Sequence, residues 1–194
     1  VIFVIIFFIF GNLYWILKDK RMINNEDFIL LYSADYIYTN IQNGRDFHKI
    51  IFEIPYPPLI PILVYGAYLT FGANDNSHLF VNLMFIPVLL FSVYFLAKEL
   101  FNKEIGEYSV FVIVSMQMII ILSRIMYEQF VLTSLFALNL LLFVKTNSFK
   151  NTKFSILYAI SWSICLLARY TILPFLISPI LYYFITTIIR RFNF

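Results

Sequence analysis

Residues 77–97 read SHLFVNLMFIPVLLFSVYFLA, a run without an Asp, Glu, Lys or Arg that stops where Lys98-Glu99 brings charge back. A helix needs about 20 consecutive apolar residues to cross a bilayer, so this stretch predicts a membrane span. Working outward, further uncharged apolar runs occupy 1–17, 57–73, 108–123, 129–144, 154–168 and 171–189. The whole chain shares the bias: 61% of its 194 residues are hydrophobic, 13% are charged, and mean hydropathy is +0.83. Soluble domains average about 25% charged residues. The expected fold is therefore all-α, a polytopic membrane protein.

The same counts exclude other classes. Five Gly and seven Pro rule out collagen-like and low-complexity chains, and a lone cysteine, Cys165, rules out a disulfide framework. The net charge of +3 is not gathered into a basic stripe, so no nucleic-acid partner is expected. The chain opens at Val1 directly in an apolar run, and Lys18-Asp19-Lys20-Arg21 stands where a signal peptidase would need small residues. These ends read as a fragment of a longer chain forming one transmembrane domain over 1–194.

Run 57–73 is the exception among the seven. Between Pro57-Pro58 and Gly72 it offers only a short apolar helix, about 22 Å long against a hydrocarbon core of ~30 Å. It reads as a juxtamembrane or re-entrant helix, which leaves about six transmembrane helices. The loops 98–107 and 145–153 and the end at Arg190-Arg191 carry seven Lys and Arg, against Arg124 and Arg169 on the opposite side. The positive-inside rule places the basic segments in the cytoplasm. The remaining five basic residues lie in 18–56. That segment is extracytoplasmic if 57–73 does not cross and cytoplasmic if it does, and charge counting by itself favours crossing. Within it, Asp27–Asn43 lacks Gly and Pro, Asn24 or Asn25 can cap it, and Gly44 can stop it. A helix this aromatic, interrupted by Asp35, Asn40 and Gln42, suits the membrane interface.

Candidate chemistry lies where charge meets the membrane edge. Glu26-Asp27 opens the interfacial helix, ahead of Tyr56-Pro57-Pro58-Leu59. A carboxylate there can take a proton from a bound hydroxyl, or simply complement the helix dipole. Glu128 begins an apolar helix, where a carboxylate is costly against lipid and useful against a polar cavity. Arg124 and Arg169-Tyr170 can bind phosphate or act as interfacial anchors. No P-loop, dinucleotide fingerprint or H-E-x-x-H occurs, and His48 and His78 are too far apart to pair by sequence. A divalent cation on Glu26, Asp27 and Glu128 is the one metal these acids could hold.

Taken in order, Asp27-Phe28, Tyr32-Ser33-Ala34, Gly44, Tyr56-Pro57-Pro58-Leu59, Phe71-Gly72, Ser123-Arg124 with Glu128, and Arg169-Tyr170 resemble the N-terminal part of GT-C type membrane glycosyltransferases. The likeness is to the protein mannosyltransferase-like and polyprenol-phosphate mannosyltransferase-like families, and it rests on order and spacing across nearly the whole chain. The resemblance implies a hexosyl or pentosyl transferase that moves sugar from a polyprenyl-phosphate donor to a hydroxyl acceptor at the extracytoplasmic face. It implies Asp27 as catalytic base with Glu26 as competitor, since relatives often carry the pair as Asp-Glu. Glu128 matches a second acid, more often Asp, that places acceptor or metal. Arg169, Arg124, Tyr56 and Tyr170 would bind substrate, Arg169 where relatives often keep Lys. The resemblance also implies that 57–73 does not cross, so that an extracytoplasmic loop of about 18–76 carries interfacial helices. The expected setting is the plasma membrane, with no obligatory cofactor and with the bilayer and a lipid-linked sugar as partners. The competing expectations are a transporter or lipid-handling protein, with charges near the midplane, and a noncatalytic fragment.

Overall fold

The computed structural model describes residues 1–18, 25–73 and 76–192, with side chains for all of these except 25–27 and 186–192. It is 84% helix, with no strand among the described residues. The helices are α1 (Ile2–Lys18), α2 (Asn25–Gln42), α3 (Phe47–Glu53), α4 (Leu59–Phe71), α5 (Phe80–Leu100), α6 (Lys103–Ser115), α7 (Gln117–Ser123), α8 (Glu128–Lys145), α9 (Thr152–Ala168) and α10 (Leu173–Phe192). Short 3-10 turns at Ser77–Leu79 and Tyr170–Ile172 lead into α5 and α10.

Each apolar run becomes one helix except 108–123. There the chain bends by 66° between α6 and α7. Neither Pro nor Gly marks the break: Met116 takes an extended conformation (φ −69°, ψ 118°) between Ser115 and Gln117. Among the described residues, two helical stretches can cross a membrane by length and composition, Ser77–Leu100 and Glu128–Lys145, and the bent pair would make a third. Helices α1 and α9 and the stretch Tyr170–Ile185 are apolar but shorter. The structure thus supports two to three crossings where the sequence predicts about six.

The bundle is built on α5, which packs against α8, α6 and α1, while α8 packs in turn against α9. Its two ends are defined by polar contacts. At one, Lys145 Nζ lies 3.4 Å from Glu99 Oε1, joining the last turns of α8 and α5. At the other, Asn76 Nδ2 donates to the Ile16 carbonyl at 2.8 Å, and Ser123 Oγ donates to Asn12 Oδ1 at 2.9 Å. The end of α1 therefore sits beside the start of α5, and α2 to α4 leave and return at the same end of the bundle. This is the arrangement expected if 57–73 does not cross. Helix α4, 13 residues long, spans only about 20 Å, and its Ile60, Val64 and Ala67 share a core with Leu30, Leu31 and Ala34 of α2.

Local signals explain the ends of these elements. Gly44, at φ +76°, follows α2 as expected, and its N–H donates to the Ile41 carbonyl at 2.9 Å. Asp46 then caps α3, its carboxylate accepting from the His48 N–H at 3.1 Å. The expected cap at Asn24 and the side chains of Arg190-Arg191 lie outside the described residues. After α8 the chain turns through three consecutive left-handed residues, Asn147, Ser148 and Phe149, at φ 47°, 61° and 62°. The Phe149 ring packs among Phe143, Tyr158 and Tyr183.

Candidate functional site

Glu128 opens α8 and Arg169 closes α9, where its N–H donates to the Cys165 carbonyl at 3.0 Å. Because α8 and α9 run antiparallel, the acid at one helix start meets the base at the other helix end. Arg169 Nη1 pairs with Glu128 Oε1. Glu128 is only 8% exposed, and its second oxygen, Oε2, is buried without a hydrogen-bond partner among the described residues. The positive end of the α8 dipole favours a carboxylate at this position. A half-satisfied buried carboxylate is costly nonetheless.

That oxygen belongs to a residue lining a cavity of about 370 Å³. Glu128, Arg169, Tyr56 and Tyr127 line it together with Ile29 and Leu30 from the first turns of α2. Three residues expected from the sequence, Tyr56, Glu128 and Arg169, thus come together. Met126, Tyr127, Gln129, Ile29 and Leu30 complete the lining without having been anticipated as site residues. Their only sequence signal was nearness to Asp27 and Glu128, because nothing in an apolar or amide side chain announces a cavity.

The other expected residues sit elsewhere. Arg124 places its guanidinium 4.7 Å from the centre of the Trp15 ring, a cation–π contact with the last turn of α1. Tyr170 is 69% exposed and is not among the lining residues. Glu26 and Asp27 occupy the first turn of α2, but their side chains lie outside the described residues. Among the described residues no group of three or more His, Cys, Asp and Glu gathers at one place. Of the acids considered for a cation, only Glu128 is described. The His48 ring meets Phe52 at a tilt of 57° with ring centres 4.9 Å apart, and His78 is buried in the turn before α5.

A groove of about 360 Å³ between α8 and α10, lined by Leu132, Phe136, Ile172 and Phe175, shares Gln129 with the cavity. A separate polar knot fixes α3 to α2. Glu53 accepts from the Tyr36 hydroxyl at 2.5 Å and from Arg45 Nη2 at 2.7 Å, and Arg45 Nη1 also donates to Asn40 Oδ1 at 2.9 Å. The Tyr36 hydroxyl, then Arg45, hold the Glu53 carboxyl below its ordinary range. Nearby, Asp35 accepts from the Tyr68 hydroxyl, linking α2 to α4; desolvation pushes its carboxyl upward and that hydrogen bond opposes the rise.

A family described as dolichyl-phosphate-mannose-protein mannosyltransferase matches residues 56–193. No curated protein and no solved structure matches the chain. The matched range covers most of the chain, starts at Tyr56 and includes Arg124, Glu128 and Arg169, while Glu26 and Asp27 precede it. The chain belongs to this family of GT-C type membrane glycosyltransferases.

Proposed function

We propose, on the premise of that membership, that the chain transfers a sugar from a polyprenyl-phosphate donor to a hydroxyl acceptor at the extracytoplasmic face of the plasma membrane. The observation that carries this reading is the buried Glu128–Arg169 pair in a cavity shared with Tyr56 and the first turns of α2. A guanidinium offers paired donors to phosphate oxygens. The groove between α8 and α10 is mostly apolar and shares the lining residue Gln129 with the cavity, which suits a lipid chain trailing from a phosphate held at Arg169.

The reaction would be a single displacement. The acceptor oxygen bonds to the anomeric carbon as the bond from that carbon to the donor phosphate oxygen breaks. The lipid phosphate leaves with the electron pair, Arg169 offsets its charge, and Asp27 or Glu26 receives the acceptor proton. Glu128, with one oxygen on Arg169 and one free, orients the acceptor hydroxyl. Arg169 lines the cavity and Arg124 does not, so Arg169 is the phosphate residue of choice. The transferred sugar is a hexose or pentose, and Tyr56 lines its path.

The test is sugar transfer from polyprenyl-phosphate donors by the full-length protein, comparing wild type with Asp27→Asn and Glu26→Gln. Transfer should fall about 10²-fold or more in one of the two. Undiminished transfer in both removes the assigned base. Labelling of Asp46→Cys from the cytoplasm alone would remove the assigned face.

A further inference from the structure

The turn between α7 and α8 is held by buried amides that no part of the mechanism above uses. Asn82, in the first turn of α5, is fully buried. Its Nδ2 donates to the carbonyls of Ile125 at 2.8 Å, Leu122 at 3.2 Å and Ser123 at 3.4 Å. Those carbonyls belong to the last turn of α7 and to the link that ends at Glu128. On the opposite side, Ser123 Oγ donates to the buried Asn12 of α1, whose Nδ2 donates to the Phe8 carbonyl at 2.9 Å. The link is thus tied to α5 by one amide and to α1 by another.

The NH₂ half of the amide is chemically matched to this place, while its Oδ1 is buried without a partner among the described residues. The last carbonyls of a helix have no partners within the helix, and in a bundle that faces lipid an unpaired carbonyl is expensive. One NH₂ group supplies donors for several of them at once. A leucine of similar size would remove the side-chain donor from all three carbonyls, although the Ile125 carbonyl also accepts from the Tyr127 N–H at 2.9 Å, and an aspartate would set a negative charge against them. Apolar contact gives little register specificity between helices in a membrane, so the amide fixes where the link, and hence the first turn of α8, comes to rest.

We propose that Asn82 is a positioning residue that sets Glu128 against Arg169. Holding Ile125 holds the next residues, Met126 and Tyr127, and these deliver Glu128 to the end of α9. Met126 is 1% exposed and lines the same cavity. The inference rests on the glycosyl-transfer reading only for its activity arm.

The structural arm uses thiol counting on the full chain. Cys165, on α9, is fully buried and is the sole native cysteine. In a Met126→Cys protein, kept reduced until labelled, neither thiol should react with a charged maleimide. Adding Asn82→Leu should expose position 126 alone, giving one reactive thiol per chain with Cys165 silent. No reactive thiol overturns the proposal, and so does reaction of both, which would mean that Asn82 holds the whole bundle rather than the link.

The activity arm is a double-mutant cycle. Asn82→Leu should lower transfer about tenfold in the wild-type background, yet change it less than twofold when Glu128→Gln is already present. Equal losses in both backgrounds overturn the proposal. Absence of transfer by the wild-type protein would instead count against the glycosyl-transfer reading and leave the thiol result to decide the role of Asn82.

Discussion

The two ends of the bundle each carry an ion pair, and the pairs behave as opposites. Lys145–Glu99 lies with side chains 28% and 46% exposed, at a separation of 3.4 Å. The Lys145 ammonium also faces the Phe95 and Phe154 rings, so it has several partners. Glu128–Arg169 has its carboxylate side chain 10% exposed, with one oxygen unpaired and a cavity at its side. The two cations are similarly exposed, Arg169 at 32% and Lys145 at 28%, so the contrast lies in the carboxylates, and on the reading proposed above it separates an anchor from a binding site. Burial and an unspent hydrogen-bond acceptor separate the two, rather than the presence of charge.

The sharpest way to break this contrast is to neutralise the cation at each end. Arg169→Met should abolish most sugar transfer, a loss of about 10²–10³-fold, and should destabilise the protein by about 3–5 kcal/mol by stranding a buried carboxylate. Lys145→Met should cost no more than about 1 kcal/mol and leave transfer unchanged. Thermal unfolding in detergent, run beside the transfer assay, measures both. Equal effects at the two ends would erase the distinction.

An intermediate effect is expected at Gly106, near the Lys145 end. A Cβ there would lie 2.9 Å from the Tyr94 carbonyl and 3.2 Å from its ring, so α5 and α6 touch through this glycine. Gly106→Ala should lower stability by about 1–3 kcal/mol while the folded fraction keeps its transfer rate. A loss of specific activity exceeding the loss of folded protein would show that the two ends are coupled.

The smallest effect concerns the knot around Glu53. Its folded-state carboxyl is held below the ordinary value, first by the Tyr36 hydroxyl. The stabilisation is therefore present above the ordinary carboxylate range and is lost as pH falls through the lowered value. Tyr36→Phe should speed hydrogen exchange of the Phe47–Glu53 amides near neutral pH. After correction for intrinsic exchange, the difference from wild type should close as the solution is acidified. A pH-independent difference would assign the effect to ring packing.

The helices were legible because long uncharged runs have few alternatives in a membrane. The short α4 was legible because Pro57-Pro58 and Gly72 bound it. The break at Met116 was not, since no residue there forbids a helix, and α3 was overlooked although Asp46 supplied a capping signal. At the site, Glu128, Arg169 and Tyr56 were readable as polar groups at the edges of apolar runs. Arg124 had the same appearance, yet Trp15, about a hundred residues away in sequence, takes its guanidinium. Asn82 was invisible for a related reason: its partners are carbonyls, which every residue has, and only the fold selects which three it meets.

The turn after α8 has a bearing on how the protein could be handled. Asn147, Ser148 and Phe149 all hold positive φ, and a left-handed conformation costs an L-residue with a Cβ roughly 1–2 kcal/mol. Glycine at position 148 would shed that cost, against a smaller gain in unfolded-chain freedom. The loop lies far from the Glu128 cavity, at the end where charge serves only as anchorage. It is thus a place where the sequence has room to improve, and a thermostabilised protein for purification could begin there without touching the chemistry.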